Sequence, residues 1–134
     1  MNDFANEIFT TVAAPVREAH PGITFIGEYV RKPSTFPCAT LDETENVIVP
    51  KLEDNSGREV FSGLKYRLQV FSNKKSGKKA EARAIFKTAD LNLRRLGLRR
   101  VSYSTTPEIY ESTVYSIVAT YEAVIDENGT IYRR

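Results

Sequence analysis

The side chains best equipped for covalent chemistry are a single histidine and a single cysteine, His20 and Cys38. A nucleophile and base must sit within hydrogen-bond reach, with a third group orienting the imidazole. His20 stands beside Pro21 and Gly22, where a helix ends, which suits a capping or surface role. Cys38 falls inside a strand pattern, where a lone cysteine packs as a small apolar residue. Neither is assigned a catalytic role. One cysteine and one histidine make no zinc site without scattered carboxylates, and a single cysteine forms no internal disulfide. Asp42, Glu43 and Glu45 are close in sequence, but strand geometry sends neighbours to alternate faces, and a calcium loop needs tighter acidic spacing around a glycine. The expectation is no enzyme, no metal and no cofactor.

Ser76-Gly77-Lys78-Lys79 invites a phosphate-loop reading. Ser72 stands where that loop has its first glycine, and Lys79 replaces the magnesium-binding hydroxyl, so the match fails. What remains is charge. Between Lys74 and Arg100 lie Lys74, Lys75, Lys78, Lys79, Arg83, Lys87, Arg94, Arg95, Arg99 and Arg100, against Glu81 and Asp90. Ten cations and two anions give this segment +8; since the chain totals +2, the remainder carries −6. A near-neutral total argues against a dedicated nucleic-acid binder, whereas a positive pole on a negative remainder favours head-to-tail pairing of copies or an approach to phosphate.

The elements that must carry these residues follow from periodicity. Asn2 or Asp3 caps a first helix whose Phe4, Ala5, Ile8, Phe9, Val12, Val16 and Ala19 share one side; Pro15 should loosen its last turn. Ile23 to Val30 and Phe36 to Glu43 read as two strands joined through Lys32-Pro33-Ser34, and Asn46 to Glu59 as a long excursion. The strand from Val60 to Ser72 alternates strictly, with Leu64, Tyr66, Leu68 and Val70 inward and Lys65, Arg67 and Gln69 outward. A second helix, Lys78 to Leu96, presents Ala82, Ile85, Phe86, Ala89, Leu93 and Leu96 as a buried stripe and ends at Gly97. At the ~100° helical step Lys79, Arg83, Lys87 and Arg94 fall together beside that stripe, and Leu91 points away to solvent. Arg99 to Thr106 and Glu111 to Ile125 are further strands; the latter aligns Tyr115, Ile117, Ala119, Tyr121, Ala123 and Ile125 on one face. Asn128-Gly129 turns the chain into a short last strand, Thr130 to Arg134. The fold class expected is α+β: one domain, residues 1–134, with a single largely antiparallel sheet and two helices on one face. No apolar run reaches the ~20 residues of a membrane span, and Met1-Asn2-Asp3-Phe4 lacks the basic start of a signal peptide, so a cytosolic origin is expected.

Phe25-Ile26-Gly27-Glu28-Tyr29, Phe36-Pro37, and Tyr66-Arg67-Leu68-Gln69-Val70-Phe71-Ser72-Asn73-Lys74 carry a family resemblance. Leu96-Gly97-Leu98-Arg99-Arg100, Ala119-Thr120-Tyr121-Glu122-Ala123-Val124-Ile125-Asp126 and Thr130-Ile131-Tyr132-Arg133-Arg134 extend it over nearly the whole chain. The sequence resembles the tail-terminator and tail-completion proteins of tailed bacteriophages and prophages, which include head–tail joining and minor capsid proteins. That resemblance implies a structural virion protein, made in the bacterial cytoplasm, that forms a ring, typically a hexamer, capping the tail tube and facing the neck. The implied partners are copies of itself, the tail tube protein and the head–tail connector or neck proteins, with genomic DNA in the channel as a further contact and no membrane.

Lys79, Arg83, Lys87, Leu91 and Arg94 are the expected subunit or DNA-channel surface, the acidic partner lying near Asp42, Glu43 and Glu45. Lys51, Glu53, Asp54 and Arg58 of the long excursion, with Tyr132, Arg133 and Arg134, are the expected tube or neck contacts. Head–tail joining is the alternative station. A DNA-binding module using the basic helix with Lys65 and Arg67 is the other alternative, and it predicts steep salt dependence.

Overall fold

A computed structural model describes residues 3–30, 33–48, 61–105 and 114–132. Helix α1 (Ala5–Ala19) leads into β1 (Thr24–Ile26) and β2 (Cys38–Ile48); β3 (Phe61–Ser72) precedes α2 (Lys78–Leu96), followed by β4 (Arg99–Thr105), β5 (Tyr115–Asp126) and β6 (Ile131–Tyr132). The fold is α+β, with a six-stranded sheet in the order β1-β2-β3-β5-β4 and β6 added to β5. Every pairing is antiparallel except β1 with β2. Among the described residues no helix is long and apolar enough to cross a membrane.

The helices form where the apolar spacing places them. Ile8, Val12, Ala13 and Val16 of α1, and Ala82, Ile85, Phe86, Ala89 and Leu93 of α2, are buried in one cluster with Leu41, Leu64, Tyr66, Leu68, Val70, Ile117, Ala119, Tyr121, Ala123 and Ile125. Both helices therefore cover one face of the sheet. The first helix continues through Pro15 to Ala19. Beyond it, Gly22 takes a φ of 88°, and the His20 ring nitrogen Nε2 meets Thr88 Oγ1 at 3.2 Å, tying the end of α1 to α2. At the end of α2, Gly97 adopts φ 105°, its N–H reaching Arg94 O, and Leu98 N–H reaches Leu93 O. This left-handed stop favours a residue without Cβ.

The start of the sheet departs from expectation. The first strand covers only Thr24–Ile26 and runs parallel to β2, so the intervening chain crosses back rather than closing a hairpin. Pro33 and Pro37 cannot donate to the ladder a hairpin would need; Pro37 instead offers its carbonyl to Thr24 N–H at 3.0 Å. The second strand runs on to Ile48, taking in the start of what reads as an excursion. The part of that excursion holding Lys51, Glu53, Asp54 and Arg58 lies outside the described residues, as do Arg133 and Arg134.

The outer face of the sheet is also more buried in places than alternation implies. Cys38 pairs with Phe71 in register, and with Val114 and Phe36 they make a second small apolar cluster. Gln69 is only 5% exposed rather than solvated, and its Oε1 accepts from Thr40 Oγ1 at 3.0 Å. That bond is what makes a buried amide tolerable there.

Candidate functional site

Asp90 organises the surface that α2 shares with β4. Its carboxylate is buried at 5% exposure, a costly place for a charge unless it is paired and hydrogen-bonded. Arg94 Nε reaches Oδ2 at 3.0 Å, Arg100 Nη1 reaches Oδ1 at 3.0 Å, and Tyr121 OH donates to Oδ1 at 2.6 Å. Each donor comes from a different place in the fold: Arg94 one turn along α2, Arg100 from β4, Tyr121 from β5. Burial and the Asp90 carboxylate together push the Tyr121 phenol well above its ordinary range, so it stays a donor.

Beside this carboxylate lies a cavity of about 300 Å³ lined by Arg83, Phe86, Lys87, Asp90, Arg100 and Tyr103. The Phe86 and Tyr103 rings meet edge to face at 5.0 Å, and the Arg100 guanidinium stands 5.8 Å from one centroid and 6.0 Å from the other. Arg83 and Lys87, a turn apart on α2, are exposed and make no ion pair among the described residues.

Of the residues expected to form the basic surface, Lys79, Arg83 and Lys87 are exposed on α2, and Leu91 is exposed at 40%. Arg94 is exposed too, but its charge is committed to Asp90. Val101 and Tyr103 on β4, at 41% and 43%, add exposed apolar surface. Tyr132, expected at a contact with the tube or neck, is exposed on β6, where its hydroxyl reaches Asp126 Oδ2 at 3.1 Å. Sequence reasoning missed Asp90, Arg100, Phe86 and Tyr103 as one group. The available signal was position on the helix: Asp90 follows Ala89 and precedes Leu93 by three residues, so it borders the buried stripe, while Thr88 is only partly covered.

The residues expected near the acidic partner surface are divided between the two faces of the sheet. Asp42 Oδ2 holds Arg67 Nη2 at 2.8 Å, and Glu45 lies 3.8 Å from Lys65. A register shift between Glu43 and Glu45 puts Asp42 and Glu45 on the same face, against simple alternation. Glu43 turns to the helical side, where it accepts from Tyr66 OH at 3.1 Å beside a second cavity lined by Asn6, Phe9, Gly27 and Glu28. Lys65 and Arg67 both have carboxylate neighbours: Lys65 lies 3.8 Å from Glu45 and from Glu122, and Arg67, paired with Asp42, lies 4.3 Å from the Tyr29 ring centroid.

Cys38 is buried, and burial pushes its thiol upward, away from the reactive thiolate. Ser72, at the first-glycine position of the failed phosphate loop, donates to Glu81 Oε1 at 2.6 Å and so anchors the start of α2. Among the described residues no three His, Cys, Asp or Glu side chains group as metal ligands. No family model matches the chain, and no curated protein matches it.

Proposed function

We propose that this chain is a structural virion subunit of the tail-terminator type, which assembles as a ring, hexameric by the family resemblance, on the end of a phage tail tube and links it to the neck. The observation that carries the reading is the exposed side of α2 and its neighbouring edge strand. Lys79, Arg83 and Lys87 have no ion partner among the described residues, Leu91 is exposed on the same helix, and Val101 and Tyr103 are exposed on β4. β4 ends the strand order, so its outer edge has no neighbour within the described sheet. An unpaired edge and a charged, partly apolar flank are the parts a head-to-tail contact uses. Repeated about an axis, such a contact closes into a ring, and a ring that matches the tube on one face only stops its growth. The action is one of shape, with no bond made or broken.

The reading is tested by imaging particles that lack this protein. Overlong tails support termination; tails of normal length, detached from heads, assign the protein to the joining step instead. Light-scattering mass of the purified chain, alone and with tail tube protein, checks ring formation.

A further inference from the structure

We propose that the cavity between α2 and β4 is a nucleotide-binding site, with a phosphate held by Arg83, Lys87 and Arg100 and a base resting on the Tyr103 ring. The site shares Arg83, Lys87 and Tyr103 with the flank assigned above to the subunit contact, so it is a site of the unassembled chain, and its test does not require assembly. Three cations from two elements line one cavity of about 300 Å³, a size at the lower end for small-ligand pockets. Among the described residues Arg83 and Lys87 make no ion pair. Arg100 is held in place: Asp90 engages its fork at Nη1, and Asp90 is itself fixed by Tyr121 OH at 2.6 Å and by Arg94. A guanidinium set by a buried carboxylate loses little freedom when an anion arrives.

The charge balance selects the ligand. Asp90 is answered by Arg94 and Arg100 together, so Arg83 and Lys87 leave the cavity with excess positive charge. A carboxylate offers two coplanar oxygens to one fork, whereas a phosphate offers several oxygens to cations converging from different sides. Tyr103 is 43% exposed while Phe86, against its ring, is 6% exposed, so the wall has a fixed aromatic base and an accessible aromatic rim. Cations next to an accessible ring are the means by which single nucleotides in a strand are gripped. Asp90 acts here as a positioning residue, through Arg100.

The test is an NMR titration of the labelled chain at ~150 mM salt with inorganic phosphate, adenosine monophosphate and a short single-stranded oligonucleotide. Saturable shifts in the amides of residues 83–87 and 100–103 are expected, with the mononucleotide binding more tightly than phosphate. The R83A/K87A double variant, exposed at both positions, keeps its circular dichroism and loses about ten-fold or more in affinity. Arg100→Lys keeps the charge and loses the fork, and weakens binding comparably; Tyr103→Leu brings the mononucleotide down to the level of phosphate. An oligonucleotide much tighter than the mononucleotide identifies a strand as the source of the phosphate, and equal affinities identify a free nucleotide. Absence of saturable shifts up to millimolar ligand, or binding indifferent to R83A/K87A, overturns the proposal and leaves the tail-length test untouched.

Discussion

Tyr66 and Tyr121 stand directly opposite each other on β3 and β5, and their hydroxyls are taken by two different carboxylates, Glu43 on β2 and Asp90 on α2. Glu43 pairs with Tyr66 in register and Arg100 with Tyr121, so one polar row, Glu43–Tyr66–Tyr121–Arg100, crosses the core side of four strands. Both phenols are nearly wholly buried, and burial raises both above the ordinary tyrosine range. The row reaches from one cavity of the helical face to the other through polar groups as well as apolar packing.

Removing one donor from the more buried half should cost more. Tyr121→Phe takes a short hydrogen bond from a carboxylate that remains buried, and is expected to lower stability by about 1–3 kcal/mol. Tyr66→Phe, whose partner Glu43 is only half-buried, should cost less. Urea unfolding followed by circular dichroism ranks the two; equal losses would show that Asp90 is sustained by its arginines alone.

Glu43 should make stability depend on pH in the direction opposite to a salt-bridged acid. Desolvation raises its carboxyl above the ordinary glutamate value, outweighing the lowering effect of the Tyr66 hydrogen bond. The folded chain then holds that proton more tightly than the unfolded one, so the contribution is present at low pH and lost as pH rises from the ordinary value through the raised one. Glu43→Gln should therefore be the more stable protein at neutral pH, the difference closing as the solution is made acidic. Thermal melts from about pH 4 to 7, which begin near the ordinary carboxylate value and end above it, check the sign.

Gly97→Ala should destabilise through backbone and contact together. The position has φ +105°, and a Cβ there would come within 3.2 Å of Ile131 Cγ2 on β6. A loss of about 1–3 kcal/mol is expected, with hydrogen exchange rising first at Ile131 and Tyr132, since β6 is the element pushed aside.

Arg83→Glu and Leu91→Ala should leave stability within about 0.5 kcal/mol, both being exposed. Under the ring reading they weaken assembly on tube ends, and the tails made with them lengthen. Unchanged light-scattering mass with tube protein, and tails of ordinary length, would remove α2 from the subunit contact.

Much of this arrangement is legible in the sequence, and the exceptions have physical causes. The bounds of α2 follow from its apolar spacing and from Gly97, and the inward row of β3 from strict alternation, because both are local properties. The parallel pairing of β1 is a long-range outcome that alternation does not encode. The bulge at Thr44 slips the period by one residue, so Glu45 joins Asp42 on a face that counting would deny it. Asp90 escaped notice because a charged residue in a basic segment reads as solvated; Arg100 and Tyr121, arriving from two strands to join Arg94 one turn away, make its burial tolerable.

The charges on the open side of the sheet cancel in rows. Glu45, Lys65, Glu122 and Arg99 form a ladder across β2, β3, β5 and β4, and Asp42 neutralises Arg67 beside it. Among the described residues these side chains answer one another, whereas Lys79, Arg83 and Lys87 on α2 make no ion pair. A polyanion at low ionic strength would thus find its grip, among the described residues, on the flank of α2 rather than on this self-answered ladder.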